Sequence, residues 1–577
     1  MTGYVIAIIL TTTALKLMRV NRISNTANKS KVLQLGAKSL IYTTVISLFT
    51  ASTTFAAPPK LDYLYPAGAS RGGHISISAG GTFSSWPVQA WVEPAQGVTI
   101  KPEKESGKLN VKVDADATPG TRWLRLYNDQ GASSLQPIII GTLPEISENK
   151  DARKIVNGME AQDITSSVVV NGKLGKPGEV DVYRVMLKKE QTLVAAVDAH
   201  RTLGSPIDPS MQICDSRGFV IQEVDDTLGL DPRIVYTASR DGGMLIRIFA
   251  FPSKPSSTIA FTGAESHVYR LTLTTGGVID HVLPLAIRGK KAASISVYGW
   301  NIPDKVRQLT IQPRGTDASL TAFQPQLANV FPIKQIDAPS YTASALPKSP
   351  LLPPFAVSGR IASSHDKAQF QFHAKKGKTL RLQITSRQLG FPLDAVLRIE
   401  DKSGKVIIEK DDIGKDARDP MLDFKPPADG IYTATVEDLH GRGGFRYVYC
   451  LEVEPVIPDF QLTVAKDVYI GVHSKPVEIM VNVQRLDGFK GEITVSLKGL
   501  PDSITGDTVI SKEKGATTKA ITLQIKLPAN SAAKTWQGPI QIVGKAIGTQ
   551  ERVATFATSV PGLSHHAVWL TLQRSTK

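Results

Sequence analysis

The string Leu203-Gly204-Ser205-Pro206-Ile207-Asp208 returns as Leu389-Gly390-Phe391-Pro392-Leu393-Asp394. The match extends in register on both sides. Asn171-Gly172-Lys173-Leu174 pairs with Ser358-Gly359-Arg360-Ile361, and Lys188-Lys189-Glu190-Gln191-Thr192-Leu193 with Lys375-Lys376-Gly377-Lys378-Thr379-Leu380. Asp225-Asp226 pairs with Asp411-Asp412, Asp231-Pro232 with Asp419-Pro420, and Asp241-Gly242 with Asp429-Gly430. Val268-Tyr269-Arg270-Leu271 answers Val448-Tyr449-Cys450-Leu451. A stretch that recurs with its turns and strands in one order is a folding unit made twice. A fainter repeat precedes each copy. Leu61-Asp62-Tyr63-Leu64-Tyr65-Pro66, then Arg71-Gly72 and Ser76-Ile77-Ser78, resembles Ile279-Asp280-His281-Val282-Leu283-Pro284, then Arg288-Gly289 and Ser294-Ile295-Ser296.

The repeats are built from short alternating runs. Leu109-Asn110-Val111-Lys112-Val113, the stretch from Val477 to Val483 and the stretch from Ile521 to Leu527 each place apolar residues at every second position. That period puts one strand face in a core and the other in water. Asp-Gly turns separate the strands, and no long amphipathic helix is visible. The fold class expected is all-β: tandem β-sandwiches, immunoglobulin-like and jelly-roll-like modules in one multidomain chain. The boundaries read as a leader at 1–56, a β-module at 57–145, a sandwich at 160–275 and a second small module at 276–336. A Pro- and Ala-rich linker at 337–351, a second sandwich at 352–455, a last sandwich at 457–562 and a tail at 563–577 complete the chain.

The larger repeats resemble the bacterial pre-peptidase C-terminal (PPC) domain family. The first copy carries Asp181-Val182-Tyr183, Gln191-Thr192-Leu193, Ile207-Asp208-Pro209 and Asp225-Asp226. The second keeps Gly377-Lys378-Thr379-Leu380, Leu393-Asp394, Asp411-Asp412 and Ala428-Asp429-Gly430-Ile431-Tyr432. It departs from the pattern with Ala368 and Phe370 where the first copy has Asp181 and Tyr183. The smaller repeats are similar to IPT/TIG-type modules, through Tyr65-Pro66-Ala67-Gly68 and the turn from Ala117 to Arg122. The last module, with Asp487-Gly488-Phe489 and Gly499-Leu500-Pro501, resembles immunoglobulin-fold domains of bacterial surface proteins. The resemblance implies secreted accessory modules, of a kind often found beside peptidases.

Residues 1–56 carry six basic residues, Lys16, Arg19, Arg22, Lys29, Lys31 and Lys38, and no acidic one. The uncharged run from Ser39 to Phe55 and the small-x-small end Thr54-Phe55-Ala56 complete a secretory signal, cleaved after Ala56. Met18 opens a leader of more ordinary length and is expected to be the true start. The alternative is an uncleaved membrane anchor. Without the leader, 61 basic residues face 52 acidic ones, a net +9 spread without long like-charge runs. That distribution argues against nucleic acid as a partner. The two cysteines, Cys214 and Cys450, exclude a disulfide framework; both fall on strand positions facing away from the core and are expected to be free thiols.

No catalytic set stands out. Gly68-Ala69-Ser70-Arg71-Gly72 matches GxSxG, but that motif needs a strand–elbow–helix setting, and a turn of a β-module is expected here. His565-His566 is expected on an exposed tail. Two readings of the acidic clusters stay open. Asp181, Asp225, Asp226 and Asp231 in one copy, and Asp411, Asp412, Asp416 and Asp419 in the other, offer oxygens of the kind calcium takes. Asp also favours turns by bonding nearby backbone. Likewise Trp86, Trp91, Tyr447 and Tyr449 suit either sugar stacking or core packing. The function expected is non-enzymatic: a secreted, periplasmic or cell-surface protein binding an extracellular protein or polysaccharide through its modules, with calcium the one candidate cofactor. The alternative is an accessory or substrate-binding partner of a secreted peptidase.

Overall fold

The structure is a computed structural model that describes residues 57–573, apart from 157, 166, 255–256, 258, 290, 314–318, 415–416, 473–474 and 527–535. The leader expected over 1–56 lies outside the described residues, as does Asp416. Among the described residues the chain is all-β, five successive sandwich modules each made of facing sheets. Alternation decides which face is buried. Along Val477–Leu486, Val477, Ile479, Val481 and Val483 are buried, and Glu478, Met480, Asn482 and Gln484 are exposed. Each such inward side chain contributes roughly 1.5–3 kcal/mol of burial.

The long repeat is exact at the level of strand order. One sheet of module 2 runs Glu145–Ser147, Val168–Lys173, Val268–Thr274, Thr192–Asp198, Arg233–Thr237. Its counterpart in module 4 runs Ser340–Thr342, Phe355–Arg360, Val448–Pro455, Leu380–Thr385, Met421–Phe424. The facing sheets again match, and module 2 adds the hairpin Arg153–Val156 and Met159–Ile164. Modules 1 and 3 share the fainter repeat. Lys60–Tyr65 and Val278–Leu283 both carry a bulge, at Asp62 and Asp280, and both lead into a cis proline, Pro66 and Pro284.

Several boundaries differ from those read in the sequence. The stretch 337–351 is more than a linker: Ser340–Thr342 is the edge strand of module 4, pairing parallel to Phe355–Arg360. Module 2 likewise begins at Glu145–Ser147, at the end of the segment assigned to module 1 and well before the boundary read at 160. Three-residue strands are too short for alternation to register. The stretch read as a tail from 563 is no free tail as far as residue 573, the last one described. Val568–Gln573 lies between Val468–Val472 and Trp536–Lys545, and Val568, Leu570 and Leu572 sit in the last core.

Both cysteines are free and do point away from the sandwich cores, yet both are buried. Cys214 lies under the added hairpin with Ala161, Val182 and Leu245. Cys450 lies in the core that module 3 shares with the outer face of module 4.

The five modules do not form an open string. Leu135 of module 1 enters the core of module 5. The fully buried Arg125 donates to Asp467 at 3.1 Å and lies over Trp569. Trp91 packs edge-on against Trp569 at 5.9 Å, and Gln573 donates to the Gln130 carbonyl at 2.9 Å. Arg381 of module 4 forms a bidentate pair with Asp487 of module 5.

Candidate functional site

Modules 1 and 2 dock as modules 3 and 4 do. The Ala67 N–H donates to the Asn171 side chain at 3.2 Å, and at the equivalent place the Leu285 N–H donates to Ser358 Oγ at 2.9 Å. The same backbone junction therefore occurs twice, with different side chains in it.

In the second copy the junction is full. His281 stacks on Tyr298, with centroids 4.9 Å apart and planes 12° from parallel. Phe391 meets the His281 ring edge-on at 6.0 Å, and Phe445 covers it at 5.1 Å. Asp280, fully buried, takes Arg233 and Arg446, both at 3.0 Å, and His281 Nδ1 at 2.8 Å. Burial alone would raise its carboxyl, but the His281 hydrogen bond and the two guanidinium groups hold it below the ordinary range. Arg446 also donates to the Gly390 and Thr227 carbonyls, so modules 2, 3 and 4 meet at this one carboxylate.

In the first copy the equivalent residues are small or acidic. Gly80 stands where Tyr298 does, Ser205 where Phe391 does, Glu265 for Phe445 and Ser266 for Arg446. The loops that carry the last two correspond bond for bond: Ala264 N–H donates to Leu174 O, and Gly444 N–H to Ile361 O. With three rings and a guanidinium missing, a cleft of about 510 Å³ opens between modules 1 and 2. Asp62, Tyr63, Gln136, Ser205, Glu265 and Ser266 give it polar walls, and Leu64, Ala67, Leu203 and Val268 apolar ones.

Each wall has a local cause. The bulge at Asp62 turns that carboxylate outward to Lys60, 2.9 Å away. Glu265 pairs with Lys173 at 2.5 Å. The Tyr63 ring lies on Gly80, where an added Cβ would come within 2.0 Å of it. Burial, with Glu265 beside it, raises the Tyr63 phenol, which stays protonated and can donate. Ser205 is held by a left-handed turn at Gly204, φ 66°, and its Oγ is buried with no hydrogen-bond partner among the described residues. A smaller cleft of about 360 Å³, bordered by Arg288, Lys291 and Tyr341, lies where module 3 meets the edge strand of module 4.

The acidic residues singled out in the sequence are dispersed. Asp231 accepts the backbone N–H groups of Ala199, His200 and Arg201, at 2.8–3.1 Å. Asp419 does the same for Ser386, Arg387 and Gln388. Asp181 is buried between Arg153 and the Tyr269 hydroxyl. Asp225 and Asp226 are exposed near Asp208, which burial and then these two charges push up to about 6. Asp411 is exposed and accepts the Asp412 N–H. Among the described residues no three His, Cys, Asp or Glu side chains are grouped to hold a metal.

Ser70 of the GxSxG pattern closes the strand Gly68–Ser70, followed by a turn with Gly72 at φ 71°. His565 is buried against Glu93 at 3.2 Å, between modules 1 and 5, not on an exposed tail. The four aromatic residues considered for stacking all pack internally: Trp86 on Phe83, Trp91 on Trp569, Tyr447 and Tyr449 in or against the module 4 core. Tyr63 was missed. The signal that finds it is the aligned pair of junctions, read for positions where one copy has rings and the other does not.

No family model matches the chain, and no curated protein matches it. Similar solved structures include the PPC domain of a collagenase from Bacillus anthracis, at 13% identity and TM-score 0.16, covering 20% of this chain and 95% of that one. Fibronectin(III)-like modules of CbhA from Clostridium thermocellum align at 12% identity and TM-score 0.13, covering 35% of this chain and 88% of theirs. The Bacteroides ovatus protein SGBP-B, solved with a mixed-linkage heptasaccharide, aligns at 8% identity and TM-score 0.13, covering 67% and 72%. Among the described residues no helix is long and apolar enough to cross a membrane.

Proposed function

We propose that this is a non-catalytic, exported binding protein whose ligand enters the cleft between modules 1 and 2. One observation carries the reading. Two junctions that share an equivalent backbone contact differ in the side chains that fill or vacate the space beside it, and the vacated one keeps polar groups along its walls. A volume of this size, at a module boundary and with mixed lining, is of the usual kind for ligand sites. Modules 2 and 4 are read as PPC-type, module 2 supplying half of the site and module 4 the filled, structural counterpart. The leader-like charge pattern of residues 1–56 supports export to the periplasm, cell surface or medium.

The test is co-sedimentation of the full chain with washed cells, insoluble polysaccharides and fibrous protein. Pelleting with one of these, lost in Ser205→Phe, is the expected result. Ser205→Phe rebuilds in copy one the ring that copy two already has. Pelleting that survives the substitution would move the binding site elsewhere.

A further inference from the structure

We infer that the cleft takes a neutral glycan, gripped by one sugar ring against Tyr63 and by hydroxyls bonded to Ser205, Gln136 and Glu265. This rests on the cleft being the binding site.

Charge narrows the class first. Both carboxylates at the walls have ammonium partners, Asp62 with Lys60 and Glu265 with Lys173. A cationic ligand would have to displace two lysines. An anionic one would sit beside two carboxylates. A ligand without charge meets alternating donors and acceptors at these pairs, which is what a row of hydroxyls requires, each being donor and acceptor at once.

The unpartnered hydroxyl narrows it further. Ser205 is 3% exposed and its Oγ has no hydrogen-bond partner among the described residues. A buried hydroxyl left unbonded costs about 1–3 kcal/mol, and a bound hydroxyl group would remove that cost. A wholly apolar ligand would leave Ser205 unbonded and strip water from Asp62, Gln136 and Glu265 as well.

The floor selects a flat, partly apolar face. Tyr63 cannot tilt into the strand beneath it, because the ring already lies on the backbone at Gly80. The ring packs beside the apolar side chains of Ala67, Leu203 and Val268. The C–H face of a pyranose is apolar while its rim is hydroxylated, and this combination of plane and rim matches the cleft. An extended peptide would instead need an even row of free backbone groups. Lys60–Tyr65 is an edge strand, but its bulge between Leu61 and Tyr63 breaks that spacing.

Titration calorimetry on the full chain tests this with defined probes. The neutral ones are cellohexaose, xylohexaose, maltohexaose and chitohexaose in its N-acetylated form; hexagalacturonate and hexalysine are the charged ones. Tyr63→Ala, Glu265→Gln and Ser205→Phe are compared with the parent, each with its melting temperature. The expected result is binding of at least one neutral hexamer with Kd at or below about 1 mM, weakened at least about tenfold by Ser205→Phe and by Tyr63→Ala. If Ser205→Phe melts early, Tyr63→Ala and Glu265→Gln decide, since both leave the cleft no fuller. Binding of hexagalacturonate alone would overturn the neutral class and binding of hexalysine alone the glycan class; loss of either in Ser205→Phe would keep the cleft as the site. A neutral hexamer bound equally by all variants would overturn the cleft itself. No neutral hexamer bound at about 10 mM would overturn the inference.

Discussion

Asp231 and Asp419 each gather three consecutive backbone N–H groups, and so fix the turn that precedes the Leu-Gly string of each long repeat. Removing either carboxylate leaves buried donors unpaired. Asp231→Ala and Asp419→Ala are each expected to cost about 1–3 kcal/mol in denaturant unfolding, by equal amounts with calcium and with chelator. A loss seen only with calcium would put the metal at these carboxylates instead. Asp208 makes a prediction of the opposite sign. Burial, then Asp226 and Asp225, raise it to about 6, above an unfolded value of about 3.9. The folded state thus holds that proton more tightly. Its stabilising share is complete below about pH 4 and is lost as pH rises through about 6. Asp208→Asn should therefore raise the melting temperature at pH 8 and give less at pH 5. The gain is a fraction of about 1 kcal/mol, because water screens a half-exposed group. Identical shifts at both pH values would mean that the Asp208 carboxyl is not raised by burial and its neighbours.

At the scale of strands, Val568–Gln573 matters most for module 5. It is bonded on both sides, and Trp569 is 2% exposed. Trp569→Ala should cost about 3–5 kcal/mol, and ending the chain at 563 should abolish the cooperative melt of module 5 in calorimetry. An unchanged melt after truncation would mean that the strand is dispensable. The sequence made the repeats legible down to the bulged Asp62 and Asp280, because strand spacing and turn residues are local properties. It also supplied the strands around Val111, Val481 and Leu523. It concealed Glu145–Ser147 and Ser340–Thr342, which are too short to show a period, and Val568–Gln573, which is buried on both faces and does not alternate. The cleft was concealed for a different reason. Ser205 and Phe391 were already aligned, but nothing local says that position 205 faces 63, 80 and 265. That is decided by how one module docks on the next.

For the whole molecule, the contact of module 1 with module 5 sets the consequence. Arg125 and Asp467, Leu135 and the last core, and Gln130 and Gln573 all join ends of the described chain. A protease site placed at 456–458, between modules 4 and 5, should therefore give fragments that stay together on native gel filtration and part in denaturant. Separation under native conditions would show that this contact is too weak to hold. The Gln130–Gln573 pair is 443 residues apart in sequence. A chain made from its N-terminus exposes the Arg125 and Trp91 face of module 1 for as long as the other four modules are being synthesised. Completion is thus coupled to shielding. A prematurely ended chain would keep a charged, aromatic surface uncovered.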